Sequence, residues 1–413
     1  MTDRIPRYAV LDSNSLARWP GPMPASVLDR PELVFTERAR QGITLILRAL
    51  NLRAGEHILL PAYHCTSMVT PVLQAGAQVS FFRVLADGTA DLDDMYRRLQ
   101  ARPRAVLVSH YFGFPQPMDQ IVPLTKQAGT VLVEDCAHAL FGSIETGALG
   151  SFGDYAIASP WKFLPVRLGG CVARNNTALP AIPKPPWGGI RGELRDLLNT
   201  LERSTEHDRL AKLRPLLAPL HYRSRRRLYR ASMAGPGRPP TGPEELSGGE
   251  TAPLRLSYAA TWIIQHTNRF RVGAQRRAHY LRLARAWSDL PGAHALYPDL
   301  PANTIPQVFP LVTEKPAELA GALAAAGIPV IRFGGERWSG TPPRTCRHAE
   351  RLSASVLQLP CHQSLQSPEL ERLMQTVRSA LGAAARPRPD KAPGHEAHDY
   401  ARKDKLARSA PTR

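Results

Sequence analysis

The segment Val131–Gly142, VLVEDCAHALFG, decides the fold. Its first residues are apolar, as in a buried strand, and the strand ends in two acids, Glu134 and Asp135. In open α/β folds, ligands bind in the crevice beyond the carboxyl ends of parallel strands. If the neighbouring segments build a parallel sheet, a carboxylate therefore lies where such a fold binds its ligand.

Helical and extended patterns alternate around this segment from Glu37 onward, as is typical of βαβ units. The sequence predicts a large α/β domain with a mostly parallel sheet over residues 35–176, after an N-terminal segment of residues 1–34. The predicted strands are HILLPAY, AQVSFFRV, RAVLVSHY, TVLVED, GDYAIAS and GGCVARN. The predicted helices are ARQGITLILRALNLRAGE (to about Leu52), a segment after His64, DLDDMYRRLQ and MDQIVPLTKQAG.

The pattern changes after Asn176. Proline- and glycine-rich clusters flank a polar stretch with leucines at helical spacing, so residues 177–250 are predicted to be an insertion. Residues 251–383 are predicted to form a smaller α+β C-terminal lobe, which begins with one long helical pattern, SYAATWIIQHTNRFRVGAQRRAHYLRLARAW. Residues 384–413 are rich in proline, alanine and charge, and we expect them to be disordered.

The net charge is +18 over 413 residues, and the basic residues crowd into Lys184–Arg230 and the stretch after Arg386. Within the first of these, Tyr222–Arg230 (YRSRRRLYR) fits either a solvated helix face or a weak contact with a membrane surface or a diphosphate substrate. We expect no nucleic-acid partner.

Five cysteines without a CxxC pair argue against a disulfide framework or a zinc site, so no metal is predicted. The amino-terminal residues contain no apolar run typical of a secretion signal, and no stretch of about 18 apolar residues occurs. We therefore expect a cytoplasmic protein.

A second segment, Ala158–Gly170 (ASPWKFLPVRLGG), places a lysine in apolar surroundings 27 residues after Asp135. Taken alone, Lys162 fits a surface lysine whose stem covers apolar neighbours. Taken with Asp135, it fits a site for pyridoxal 5'-phosphate, which needs a lysine amine for covalent attachment and a carboxylate that keeps the pyridine nitrogen protonated. Desolvation by Trp161 and Phe163 favours the neutral, nucleophilic amine.

With these motifs in order, the chain resembles the DegT/StrS-type nucleotide-sugar aminotransferases, which are fold-type-I pyridoxal phosphate enzymes. The resemblance runs through ALNLRAGEHILLPAYHCTS, GAQVSFFRV, AVLVSHYFGFPQPMDQI, VLVEDCAHALFG, GSFGDYAIASPWKFLPVRLGG and VLQLPCHQSL. It implies transfer of an amino group from glutamate or glutamine to a keto-sugar nucleotide, in polysaccharide or glycosylated natural product biosynthesis. It also implies a homodimer, in which the two subunits complete each other's sites.

The resemblance implies a role for each matching residue. Lys162 matches the lysine that binds the cofactor covalently, and Asp135 matches the partner of the pyridine nitrogen. The remaining cofactor-binding positions are His138 near the phenolic oxygen and Ser159, Ala39 and Arg40 at the phosphate. The segment after the LLPAY strand offers His64 and Cys65 for the contact with the cofactor ring, and we favour His64.

Three departures from the family pattern affect this site. Arg38-Ala39-Arg40 replaces a Ser-Gly-Thr-like helix start, whose amides hold the phosphate in the family. Two residues are missing between Ser159 and Lys162 relative to the common spacing. The family's Tyr-Asn-x-Arg segment, in which the neighbouring subunit lends an asparagine, has no clear match.

Two other functions remain compatible with the sequence. One is a different fold-type-I reaction, by an amino-acid transaminase or a lyase. The other is a non-catalytic protein that binds a sugar nucleotide or acts as a scaffold.

Overall fold

A computed structural model describes residues 4–18, 21–217, 252–335 and 337–382. Its main sheet lies in the first half of the chain. The strands of that half are β1 (Leu33–Thr36), β2 (His57–Pro61), β3 (Gln78–Phe82), β4 (Ala105–Ser109), β5 (Val131–Cys136), β6 (Ser143–Ile144), β7 (Gly147–Ala148), β8 (Tyr155–Ala158) and β9 (Gly170–Arg174). Strands β6 and β7 form a separate hairpin.

In the described residues, seven strands form this sheet in the order β1-β9-β8-β5-β4-β2-β3. Strands β8, β5, β4, β2 and β3 are parallel, whereas β9 is antiparallel to both β8 and β1. The fold is therefore α/β with a mostly parallel sheet, which confirms the predicted fold class. The carboxyl ends of β4, β5 and β8 lie side by side at one edge, with Ser109 in register with Asp135 and Asp135 with Ile157.

Helices connect these strands as the sequence predicts. They are α1 (Ala39–Ala49), α2 (Thr66–Gln74), α3 (Leu92–Leu99), α4 (Met118–Ala128) and, beyond the sheet, α5 (Ile190–Glu206). Helix α1 packs its apolar face on the sheet, with Gly42 close to Ile157 and Val172. It ends before the predicted Leu52, because Asn51 adopts a left-handed φ of 48°.

The C-terminal region is α+β, as predicted. It contains α6 (Tyr258–His266), α7 (Arg269–Ala286), β10 (Ala293–Ala295), β11 (Phe309–Thr313), α8 (Pro316–Ala325), α9 (Arg347–Ser355), β12 (Val356–Leu359) and α10 (Ser367–Ala380). Strands β10, β11 and β12 form an antiparallel sheet in that order.

The prediction of one long helix at the start of this region is wrong, because the pattern divides at Thr267. Thr267 has an extended backbone, with φ −65° and ψ 135°. The Asn268 side chain accepts a hydrogen bond from the Arg271 N–H (2.9 Å), so Asn268 caps a new helix.

Helix α5 buries a polar face and exposes an apolar one. Asp196, Thr200 and Ser204 are buried, whereas Ile190 and Leu194 are 67% and 55% exposed. Two of these side chains bond to other parts of the chain: the Ser257 hydroxyl donates to Asp196, and Ser204 Oγ accepts from the Leu11 N–H. The leucine repeat of the sequence thus marks a surface stripe.

The predicted domain boundaries remain predictions. Tyr222–Arg230 and the predicted disordered tail, residues 384–413, lie outside the described residues. Among the residues that are described, none of the helices has the length and apolarity needed to cross a membrane.

Candidate active site

A cavity opens at the carboxyl edge of β4, β5 and β8, beside the first turn of α1. It contains about 660 Å³ of empty space, part of it continuous with solvent. Six of the seven predicted site residues line it: Lys162, Asp135, His138, Ser159, Ala39 and Arg40. Cys65, Ser109, Tyr111, Trp161 and Phe333 complete much of the wall.

Lys162 ends a short 3₁₀ turn, Pro160–Lys162, that follows β8. Its backbone N–H donates to the Ser159 carbonyl (3.0 Å), and its side chain is half-buried against the cavity. Burial lowers the pKa of Lys162, and the positive charges of Arg40 and Arg7 act in the same direction, while Asp135 opposes them. A larger fraction of this amine is therefore neutral than in an exposed lysine.

Asp135 is buried on the side of β5 that faces the cavity. One carboxylate oxygen accepts a hydrogen bond from the Ser109 hydroxyl (3.0 Å) and the other accepts one from the Ala137 N–H (2.9 Å). Burial raises the pKa of Asp135, and the Ala137 N–H and the charge of Lys162 limit this rise. A desolvated carboxylate of this kind favours a cationic neighbour.

His138 is buried beside two aromatic rings. Its ring lies 5.8 Å from that of Phe112 and 5.0 Å from that of Phe333, measured between centroids. Burial lowers the pKa of His138 well below its usual value, and the charge of Lys162 contributes. The imidazole is therefore neutral at physiological pH and can donate or accept a single hydrogen bond at each ring nitrogen.

The first turn of α1 and Ser159 form one side of the cavity. Ala39 and Arg40 begin the helix, where amide groups and the helix dipole attract negative charge. Strand β9 approaches this turn closely, because a Cβ at Gly170 would lie 2.2 Å from the Arg38 carbonyl carbon. The absence of a side chain at Gly170 thus allows the two backbones to pack closely beside the cavity.

His64 lies outside this arrangement. Its ring stacks on Phe81 (4.7 Å between centroids), and its Nδ1 is 3.0 Å from the Ala62 carbonyl oxygen. Its Nε2 is 3.2 Å from the Thr341 hydroxyl. Because these contacts turn the fully buried ring away, the adjacent Cys65, which precedes α2, lines the cavity in its place.

The other acid of the β5 terminus, Glu134, points to the opposite side of the strand. Its carboxylate accepts hydrogen bonds from the backbone of Gly150 (2.6 Å), Phe152 (2.9 Å) and Gly153 (3.1 Å), and from His110 Nε2 (2.9 Å). Cys136, Glu134 and His110 bring their potential metal-ligand atoms within 4.8 Å of one another. Donors already occupy both carboxylate oxygens, so we interpret Glu134 as a structural anchor.

Sequence reasoning missed Ser109 as a cavity residue and favoured His64 over Cys65, which is the one that lines the cavity. Ser109 ends β4 directly beside Asp135, so the strand-exit argument applied to SHYFG identifies it. Whether His64 or Cys65 faces the cavity depends on which of these adjacent side chains turns inward, and the sequence does not specify this.

The mostly parallel sheet has an acid at the end of β5 and a lysine just after the neighbouring β8, in agreement with the predicted α/β fold. The model of the DegT/DnrJ/EryC1/StrS aminotransferase family matches residues 28–182. This match confirms the predicted resemblance over residues 28–182.

Curated relatives match over about a third of the chain. A dTDP-4-dehydro-2,3,6-trideoxy-D-glucose 4-aminotransferase from Saccharopolyspora spinosa is 29% identical over 137 residues, which are 33% of this chain and 35% of that protein. A GDP-perosamine synthase from Escherichia coli O157:H7 is 30% identical over 144 residues, 33% of this chain and 39% of that protein. The chain therefore matches little more than a third of these relatives' length.

Solved structures extend the similarity of fold to most of the chain. A sugar aminotransferase from Micromonospora echinospora superimposes with a TM-score of 0.60 at 16% identity, covering 91% of this chain and 99% of that one. An aminotransferase from Psychrobacter cryohalolentis gives a TM-score of 0.60 at 15% identity, covering 86% and 88%. At these identities the comparison establishes the fold alone.

Proposed function

We propose that the protein is a pyridoxal phosphate-dependent aminotransferase that moves an amino group from glutamate or glutamine to a keto-sugar nucleotide. The observation that carries the proposal is that Lys162 and Asp135, at the ends of adjacent parallel strands, face one cavity. The names of the curated relatives, which act on dTDP- and GDP-linked sugars, support the substrate class.

The residues present fit the cofactor. Asp135 is a buried carboxylate, and a protonated pyridine nitrogen supplies the cation that its desolvation favours. The amides of Ala39 and Arg40, the Arg40 charge and the Ser159 hydroxyl provide a site for the phosphate. The cofactor, when bound, supplies the electron sink for removing a proton from the substrate carbon.

The chain's own residues then have distinct tasks. Lys162 Nζ would hold the cofactor covalently and, when free, would move a proton to and from the substrate carbon, for which its lowered pKa is suited. Asp135 would hold the proton on the pyridine nitrogen. His138, neutral in its aromatic surroundings, would orient the cofactor, and Phe333 would help to exclude water.

The test is an absorbance spectrum of the purified protein with pyridoxal phosphate, before and after glutamate is added, followed by borohydride reduction and peptide mass spectrometry. We expect a visible band that glutamate removes, and a reduced cofactor adduct on Lys162. Lys162→Ala loses the adduct and turnover, whereas Lys126→Ala, at an exposed lysine of α4, retains both. An adduct elsewhere, or a band insensitive to every amino donor, contradicts the proposal.

We also propose a homodimer, whose interface includes the exposed stripe of α5 and the adjacent face of α6. Tyr258 and Trp262 on α6 are 59% and 51% exposed beside the α5 leucines. The segment leading into α6 adjoins the cavity mouth, because the Leu254 carbonyl accepts from the Glu37 N–H (3.2 Å), one residue before Arg38. A second copy seated there can complete the site.

Light scattering on a sizing column measures this assembly. We expect a dimer for the wild type and for Tyr96→Glu, at an exposed residue of α3, and a monomer for Leu194→Glu. A monomeric wild type contradicts the proposal. Sedimentation with phosphatidylserine vesicles separately tests the membrane contact expected at Tyr222–Arg230.

A further inference from the structure

The loop that carries Lys162 is attached to the C-terminal half of the chain through Arg276. Arg276 lies on α7 and is completely buried. Its Nη2 donates to the carbonyl oxygens of Lys162 (3.1 Å) and Phe163 (3.2 Å), and its guanidinium lies 4.6 Å from the centre of the Phe163 ring. The backbone at the lysine is therefore held by charge-assisted hydrogen bonds.

Gln363 closes this arrangement from a second element. It lies in the turn after β12, within the LPCHQSL motif, and its Oε1 accepts from Arg276 Nε (3.0 Å). Its Nε2 donates to the Phe163 carbonyl (2.7 Å). The amide thus orients the guanidinium and holds the same loop, which gives the motif a physical role.

The remaining donors of Arg276 bind the chain just before β11. Nη1 donates to the Pro306 carbonyl (3.2 Å) and the Gln307 carbonyl (2.7 Å). All five hydrogen-bond acceptors around the guanidinium are neutral, and burial lowers the pKa of Arg276 to about 10. A fully buried cation with neutral acceptors is costly to desolvate, so its retention calls for a function that neutral packing does not provide.

We propose that Arg276, oriented by Gln363, is a positioning residue that fixes the backbone of Lys162 and so directs its amine into the cavity beside Asp135. The proposal rests on the proposed function only in assigning that amine to cofactor binding. Because the backbone is fixed at Lys162 and Phe163, only rotation about the side-chain bonds of Lys162 can move its amine. The amine is therefore pre-organised to react with a group bound in the cavity.

Two variants and a matched control test this role. Arg276→Lys keeps the charge but offers three donors from a single nitrogen, which cannot serve carbonyls on both sides. Gln363→Leu removes the orienting amide and keeps the guanidinium. Arg277→Lys is the control, because Arg277 is the next residue of α7 and donates instead to Pro301 and Thr304.

The decisive readout is the reactivity of Lys162 in the cofactor-free protein, measured by competitive acetylation against pH and peptide mass spectrometry. The charged and titratable groups that face Lys162 are Cys65, Asp135, His138, Arg40 and Arg7. They remain unchanged in every variant, so a shift in the profile reports movement of the lysine. We expect the apparent pKa of Lys162 to rise toward that of an exposed lysine in Arg276→Lys and Gln363→Leu, but not in Arg277→Lys.

A second readout is pyridoxal phosphate affinity, from quenching of tryptophan fluorescence. We expect Arg276→Lys to weaken it about tenfold or more, since small misplacements of a reacting group have effects of this size. Circular dichroism identifies the folded variants, and Gln363→Leu gives the answer alone if Arg276→Lys does not fold. Acetylation profiles of folded variants that coincide with the wild type overturn the proposal. If the wild type does not bind pyridoxal phosphate, the proposed function fails while the acetylation result still decides the positioning role.

Discussion

Replacing Glu134 with glutamine should destabilise the protein strongly, although Glu134 does not line the cavity. Its carboxylate accepts four hydrogen bonds from nitrogen donors, two at each oxygen. A glutamine keeps one oxygen, and its NH₂ group necessarily faces the other two donors. With about 1.5–3 kcal/mol for each hydrogen bond to a charged group, losing two costs about 3–6 kcal/mol.

Urea unfolding followed by circular dichroism at neutral pH measures this loss. The control is Glu145→Gln, at an exposed acid of the nearby β6–β7 turn, which should change the free energy of unfolding by less than about 0.5 kcal/mol. A Glu134→Gln protein within about 1 kcal/mol of the wild type would refute the anchoring role, because it would mean that the four donors do not depend on the charge.

The difference in the free energy of unfolding between the wild type and Glu134→Gln should depend on pH. Burial tends to raise the pKa of Glu134, but the hydrogen bond from His110 and those from the backbone outweigh it, so the folded-state pKa is lowered. The stabilisation from Glu134 is therefore complete above its unfolded-state pKa of about 4.3 and disappears as the pH falls through the lower folded-state value. The free energies of wild type and Glu134→Gln should converge in acid. A constant difference contradicts this reasoning.

Two further predictions concern the cavity wall. Gly170→Ala should lower the free energy of unfolding by about 3 kcal/mol or more and weaken binding of pyridoxal phosphate, because the new Cβ meets the backbone of α1. Gly192→Ala is the control, since open space surrounds Gly192 and the change should not destabilise the protein. Equal stabilities of the two variants in urea contradict this prediction. Iodoacetamide should modify Cys65 before the four buried cysteines, and pyridoxal phosphate should slow this reaction because Cys65 lines the cavity. Peptide mass spectrometry measures both effects. An unchanged rate with pyridoxal phosphate shows that Cys65 does not contact the cofactor.

The sheet could be predicted because its strands are continuous apolar runs separated by clear breaks. The acid at the end of VLVED and the lysine after GDYAIAS lie at strand exits, and adjacent exits of parallel strands must share an edge. Asp135 and Lys162 are therefore expected on one side of the sheet, and both line the same cavity. That expectation depends only on strand direction, which the alternation of helices and strands specifies.

The sequence did not reveal which neighbouring side chain faces the cavity. His64 and Cys65 are adjacent, and the choice between them depends on the contacts of His64 with Phe81 and Thr341, the latter 277 residues away. Glu134 and Asp135 present the same problem, because a strand sends consecutive side chains to opposite faces. Only the assembled sheet shows which face is the site.

Helical periodicity was also insufficient in two places. The pattern after Ser257 continues through Thr267, so nothing in its spacing distinguishes one helix from two; the cap at Asn268 decides it. In α5 the leucines have helical spacing, yet the buried face carries Asp196 and Ser204, which accept hydrogen bonds from Ser257 and Leu11 of other parts of the chain. Periodicity identifies a face of a helix, but here tertiary hydrogen bonds determined which face is inside.

Arg276 has a consequence for how this protein can be divided. Nearly every residue proposed to contact the cofactor lies within residues 28–182, the part that resembles the family in sequence. The loop of Lys162 is nevertheless held by residues 276 and 363, from the other half of the chain. A fragment or chimera that ends at the sequence-matched boundary would carry the reactive groups without their support. The part of the chain that must be kept together for the Lys162 loop to be supported is therefore larger than the part that matches the family in sequence.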